Sequence, residues 1–141
     1  MSENDTLINM SYKGEMQFVA ENSTGCNISL EPPAFMGGSG KAPNPIDYLV
    51  TALGGCIGFK TIMDISGKGF KLDSFSMKIN GTKSKSPSRL FDKLHLIVTL
   101  SGDVDDLTVA ETIENAVMHT CPIAAMFRET MEITWEHNII E

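Results

Sequence analysis

Cysteine offers most of the chemistry in this chain, and there are three: Cys26, Cys56 and Cys121. A thiolate is a nucleophile and the thiol is not, so what lowers a cysteine pKa decides its reactivity. Cys121 is followed by Pro122, and proline favours the first position of a helix. That puts Cys121 at or beside the N-cap, where unpaired backbone N–H groups lower the pKa from about 8.5. Against this, many Cys-Pro pairs merely start a helix. Cys56 lies inside an apolar run, where burial would raise its pKa unless a cation or helix end reached it. An inert thiol in tight helix packing is its bland alternative. Two thiols on different helices can form a disulfide if the fold brings them close. Such a pair can also reduce a peroxide through a sulfenic acid. Separation along the chain does not itself bring them together.

Other side chains offer less. His119 stands two residues before Cys121, and neighbours two apart do not face each other on a helix. A Cys/His hydrolase would also need a third group to orient the base. His95, His119 and His137 are scattered, and the cysteines follow no zinc-site spacing, so no metal is expected. Gly37-Gly38-Ser39-Gly40-Lys41 lacks the spacing and the preceding strand of a phosphate loop and reads as a flexible loop.

The elements that must carry these residues follow from periodicity. A length of 141 residues with 42% apolar and 21% charged positions predicts one soluble domain over 1–141 with an ample core. Strands are expected over Leu7–Tyr12, Met16–Val19 and Cys26–Leu30, with a turn at Lys13-Gly14. Cys26, Ile28 and Leu30 share one face there, so Cys26 is read as a buried apolar residue. Three prolines and three glycines between Glu31 and Asn44 predict an irregular loop. Asn44-Pro45 opens a helix that runs to about Ser66. Leu49, Leu53, Cys56 and Met63 lie on one stripe, widened by Val50, Ile57 and Phe59, which predicts a helix buried nearly all round, in the middle of the protein or of its dimer. Gly54, Gly55 and Gly58 thin its surface beside Cys56, each costing about 1 kcal/mol relative to alanine and admitting close approach.

Strands come next over Leu72–Ile79 and Phe91–Leu100, separated by a polar loop over Gly81–Ser88. A helix spans Val104–Met118 behind acidic Asp103, Asp105 and Asp106. A short helical segment covers Ile123–Arg128, and a strand covers Met131–Ile139. The order predicts an α+β fold with mostly antiparallel sheet.

A net charge of −7 without a basic aromatic stripe argues against nucleic acid. The acidic start gives no signal peptide, and no apolar run is expected to approach the roughly 20 residues of a membrane span. A cytoplasmic protein with reduced thiols is expected.

The run Asn44-Pro45-Ile46-Asp47-Tyr48-Leu49-Val50-Thr51-Ala52-Leu53-Gly54-Gly55-Cys56 resembles the signature of the OsmC/Ohr family, a proline-started helix ending in Ala-Leu-Gly-Gly-Cys. Cys121-Pro122-Ile123 resembles its second motif. Arg89-Leu90-Phe91, leading to Leu94, Leu96, Val98 and Gly102, fits the strand between them. The resemblance implies an intertwined homodimer with two central helices, antiparallel sheets and sites at the subunit interface. It implies reduction of organic hydroperoxides or hydrogen peroxide, with Cys56 attacking and Cys121 resolving. No cofactor is obligatory; an external dithiol would restore the pair. Peroxidase branches of the family activate the first cysteine with an early arginine and a glutamate. Here no arginine precedes Arg89, Lys13 is merely the nearest early cation, and Ile46 with Asp47 beside it stands where the glutamate belongs. That departure supports a second reading, a dimer that binds a small apolar or thiol-containing metabolite in its interface cleft. A third is a structural dimer with inert thiols.

Overall fold

The computed structural model describes residues 5–87 and 90–141, and they fall into two compact units divided between Leu49 and Val50. In the first unit, short β-prone segments separated by turns form a three-stranded antiparallel sheet. Its strands are β1 (Asn9–Gly14), β2 (Gln17–Glu21) and β3 (Asn27–Leu30), in that order. The first turn falls on Glu15-Met16, not on Lys13-Gly14. Both residues adopt left-handed backbone angles, with φ of 51° and 61°, as a two-residue hairpin of the primed type requires. The Tyr12 hydroxyl accepts the Met16 N–H at 3.1 Å and helps to hold it.

Cys26 is exposed, which corrects its assignment to the core. It falls one residue before β3, in a turn knotted by Asn22. The Asn22 Oδ1 accepts the N–H groups of Thr24 (3.1 Å) and Cys26 (2.8 Å), an Asx-type device that ends pairing there. The Pro/Gly-rich segment is irregular, as its composition demands, with one 3₁₀ turn at Ala34–Met36. It is nevertheless pinned. The buried Glu31 carboxylate accepts Ser39 Oγ at 2.7 Å and the N–H groups of Lys41 and Ala42 at 3.1 and 2.9 Å. These bonds, the one from Ser39 foremost, hold its pKa below the usual carboxylate value.

Helix α1 (Pro45–Gly67) begins in this unit and continues into the second. Its start is a reciprocal cap: Asn44 Oδ1 accepts the Asp47 N–H at 2.9 Å and Asp47 Oδ2 accepts the Asn44 N–H at 3.1 Å. Asp47 therefore commits its carboxylate to the helix end.

The second unit holds a mixed sheet, β4 (Lys71–Lys83), β5 (Phe91–Asp103) and β6 (Glu132–Ile139), in that order. Strand β4 outruns its expected end at Ile79 because Gly81 lets the Phe91 ring lie against the backbone; a Cβ there would stand 2.5 Å from Phe91 Cε1. Strand β5 pairs antiparallel with β4 but parallel with β6. The expectation of mostly antiparallel pairing holds except at this last pair. A parallel neighbour needs a long crossover, and here α2 (Asp106–Asn115), a π-turn (Ala116–Thr120) and α3 (Pro122–Arg128) supply it. Asp105 caps α2 by accepting the Thr108 N–H at 3.1 Å.

Leu94, Leu96, Val98 and Leu100 alternate along β5 and are buried, as are Leu53, Ile57 and Ile65 of α1 and Val109 and Ile113 of α2. Two glycines of α1 face β4: a Cβ on Gly58 would stand 3.7 Å from the Phe75 ring, and one on Gly54 would lie 2.7 Å from Ile79 Cδ1. Within the single chain, helix α1 is not buried all round. Phe59 and Met63 are 67% and 66% exposed, and Ala52 is exposed beside them. Its length and composition would also suffice to cross a membrane, which corrects the expectation that no run approaches that length; Lys60 and Asp64 make the run look shorter than it is.

Candidate functional site

The site is built where the crossover turns from α2 into α3. Pro122 fills the first position of α3, and Cys121, with extended backbone (φ −83°, ψ 111°), is its N-cap. The Cys121 Sγ accepts the Ala124 N–H at 3.3 Å, so the cap is the thiol itself. Just before it, the Cys121 N–H donates to the Ala116 carbonyl at 3.0 Å, five residues back, and closes the π-turn. Such turns put one extra residue into a helix and re-aim the residues beyond it. Cys121 is 2% exposed.

Cys56 reaches this same helix start from the middle of α1. The Cys121 thiol and the Ile123 N–H both lie near enough to its thiol to shift its pKa. The structure thus brings together the two cysteines that the sequence singles out. The Ala124 N–H bonds the Cys121 sulfur, and the N–H before it, from Ile123, lies near enough to Cys56 to lower its pKa.

The electrostatics of Cys56 are mixed. Burial pushes its pKa up, and the neighbouring ionisable Cys121 thiol pushes the same way. The Ile123 N–H and the Lys60 ammonium pull it down without overcoming the rise. Lys60 is the cation that the sequence reading missed. Its position four residues after Cys56 puts it on the same helix face, so spacing alone could have found it. The Ile123 N–H could not be found that way, since it arrives from another helix. Cys56 is half-buried and therefore reachable from solvent, whereas Cys121 is closed off.

The remaining candidates lie elsewhere. His95 Nδ1 shares a hydrogen bond with Thr134 Oγ1 at 2.6 Å, and His137 Nε2 pairs with Asp106 at 2.7 Å. His119 is exposed and lines a polar hollow with Asp64, Glu111 and Glu114. Arg89 lies outside the described residues. Chemically, the site is a vicinal dithiol with one accessible sulfur: it can pass two electrons to an oxidant and close to a disulfide.

A family profile described as OsmC-like protein matches residues 38–136. Among curated proteins, none matches the sequence. Several solved structures share the fold. An OsmC-like protein from Mycoplasma pneumoniae superposes with a TM-score of 0.81 at 14% identity, over 99% of this chain and 100% of that one. An organic hydroperoxide resistance protein from Legionella pneumophila gives 0.71 at 17% identity, over 98% and 99%. The organic hydroperoxide resistance protein OhrB of Bacillus subtilis gives 0.67 at 16% identity, over 97% and 100%.

Proposed function

This chain belongs to the OsmC-like protein family, and from that premise we propose that it reduces organic hydroperoxides, with Cys56 as the attacking and Cys121 as the resolving thiol. The observation that carries the reading is the proximity of two thiols from separate helices, close enough for one to act on the other's titration. Access assigns the roles. A peroxide can reach half-buried Cys56 but not Cys121, even though Cys121 holds the N-cap.

In the first step the Cys56 thiolate attacks the distal oxygen of ROOH. The O–O bond breaks, Cys56 becomes a sulfenic acid, and the alkoxide leaves as ROH after taking a proton. In the second step Cys121 sulfur attacks the sulfenic sulfur, the S–O bond breaks, and water carries away the hydroxyl oxygen with the thiol proton. An external dithiol then exchanges with the disulfide and is itself oxidised. The sum is ROOH plus dithiol giving ROH, water and the oxidised dithiol. In place of an arginine–glutamate pair, Lys60 and the Ile123 N–H supply what stabilisation the Cys56 thiolate receives.

The same reading includes a homodimer. Ala52, Cys56, Phe59 and Met63 repeat at intervals of four, three and four residues, the spacing of a helix–helix seam. Phe59 and Met63 are apolar and largely exposed in the single chain, and a second copy of α1 laid along them would cover both. Such a partner would also flank the open side of Cys56.

One observation favours the metabolite-binding reading. The Cys56 thiol is biased towards its protonated form, which suits gripping or sensing a ligand better than rapid turnover. Treatment with one equivalent of an alkyl hydroperoxide separates the two. Hydroperoxide reduction predicts loss of two free thiols per chain and formation of one alcohol, neither in Cys56→Ser. Unchanged thiols and unconsumed peroxide would remove the peroxidase reading.

A further inference from the structure

The π-turn before Cys121 leaves two carbonyls without their helical donors. In a regular helix the Val117 carbonyl would accept from the Cys121 N–H, but that N–H is turned to Ala116. The Met118 carbonyl would accept from residue 122, which is proline and has none. Both orphans go to one side chain. Arg128, at the far end of α3, donates Nε to the Val117 carbonyl and Nη2 to the Met118 carbonyl, each at 3.2 Å. The guanidinium thus folds back along α3 and ties its last residue to the turn that precedes its first.

We propose that Arg128 is a positioning residue for the dithiol: by clamping the two freed carbonyls it fixes the π-turn, and so holds Cys121 Sγ in reach of Cys56. Arginine suits the task because one rigid, permanently charged fork spans two adjacent acceptors, which a lysine ammonium cannot reproduce. Bonds donated by a charged group are also stronger than neutral ones. The effect of the clamp is on the closeness of the two sulfurs, not on substrate, which Arg128 does not touch.

The inference rests on the Cys56–Cys121 pairing of the proposed function, but its test needs no peroxide. The full-length protein is equilibrated with mixtures of reduced and oxidised dithiothreitol. Each disulfide closed in the protein reduces one oxidised dithiothreitol to the dithiol, so electrons balance. The fraction of Cys56–Cys121 disulfide is read by mass after alkylation. In R128Q the equilibrium constant for closure should fall about tenfold, and R128K should fall between the two. D105A, which removes the α2 cap and lowers overall stability, should leave the constant unchanged. An R128Q value equal to wild type overturns the clamp, as does an equal fall in D105A. If R128Q fails to fold, R128K decides alone, and its equality with wild type overturns the clamp. If wild type closes in dithiothreitol but ignores hydroperoxide, the enzyme reading falls and the clamp stands on the R128Q shift.

Discussion

Two helices each present a sulfur to the same spot, and they do so by opposite means. Cys121 stands at a helix start, where chain geometry supplies an N–H donor at 3.3 Å and the core shuts out water. Cys56 stands in the middle of a helix whose own N–H groups are engaged along its axis, so every favourable contact it has comes from elsewhere: an N–H from α3 and a charge one turn along. Position in a helix sets the intrinsic character of a thiol, and tertiary structure then decides which one solvent can reach. Here solvent access and the helix-start position are divided between two residues.

The sharpest way to break this division is to remove each sulfur in turn. Cys56→Ser should reduce hydroperoxide consumption to the uncatalysed background. Cys121→Ser should still consume one equivalent, then stop with a sulfenic acid that dimedone traps. Equal behaviour of the two variants in a peroxide assay would abolish the assigned roles.

The open side of Cys56 is tested next. Phe59→Glu sets a charge in the proposed seam, and a lost interfacial anchor typically costs about 2 kcal/mol or more, about 30-fold in dimer affinity. Sedimentation should show a dimer for wild type at concentrations where Phe59→Glu is monomeric. A wild-type monomer would leave α1 without its proposed partner.

The glycines of α1 give a smaller and paired effect on stability. Around Gly55 a Cβ would meet nothing within 4 Å, so Gly55→Ala should gain about 1 kcal/mol in denaturant unfolding from helix propensity alone. At Gly54 the same Cβ meets Ile79 Cδ1 at 2.7 Å, and the shift it forces should cancel that gain. Equal gains at both sites would mean that β4 does not lean on α1.

The smallest effect should be that of Lys60→Met. Losing the cation raises the Cys56 pKa further, so peroxide reduction slows modestly at neutral pH and recovers at alkaline pH. In wild type the pKa is already raised by burial and by Cys121. The rate should therefore keep climbing past the ordinary thiol range. The linkage has the matching sign: the folded state holds the proton longer than the unfolded one. Stability from this group is full below the unfolded thiol's pKa and is lost as pH rises through the folded value. A stopped-flow profile that is flat above neutrality in both proteins would contradict the charge assignment.

Much of this was legible from residue type and spacing. Asn44-Pro45 announced α1, Cys121-Pro122 announced α3 and its cap, and alternation along β5 announced the core strand. What stayed hidden depends on partners distant in sequence. Cys26 alternates like a core residue, yet a turn set by Asn22 claims it. Strand β6 has the same pattern whether it runs parallel or antiparallel. The apolar surface of α1 showed that much of it must be covered, but not which side the single chain leaves open. The π-turn has no composition signal at all, and Arg128 looks like an ordinary basic residue at a helix end until its two acceptors are traced.

The central claim is that the Cys56 and Cys121 sulfurs react with each other when peroxide arrives. Peptide mapping after a single hydroperoxide equivalent, without prior reduction, tests it most directly. The account predicts one cross-linked species joining the Cys56 and Cys121 peptides within a chain, with Cys26 still alkylatable. Recovery of both peptides uncross-linked, with Cys56 either untouched or left as a sulfenic acid, would contradict it.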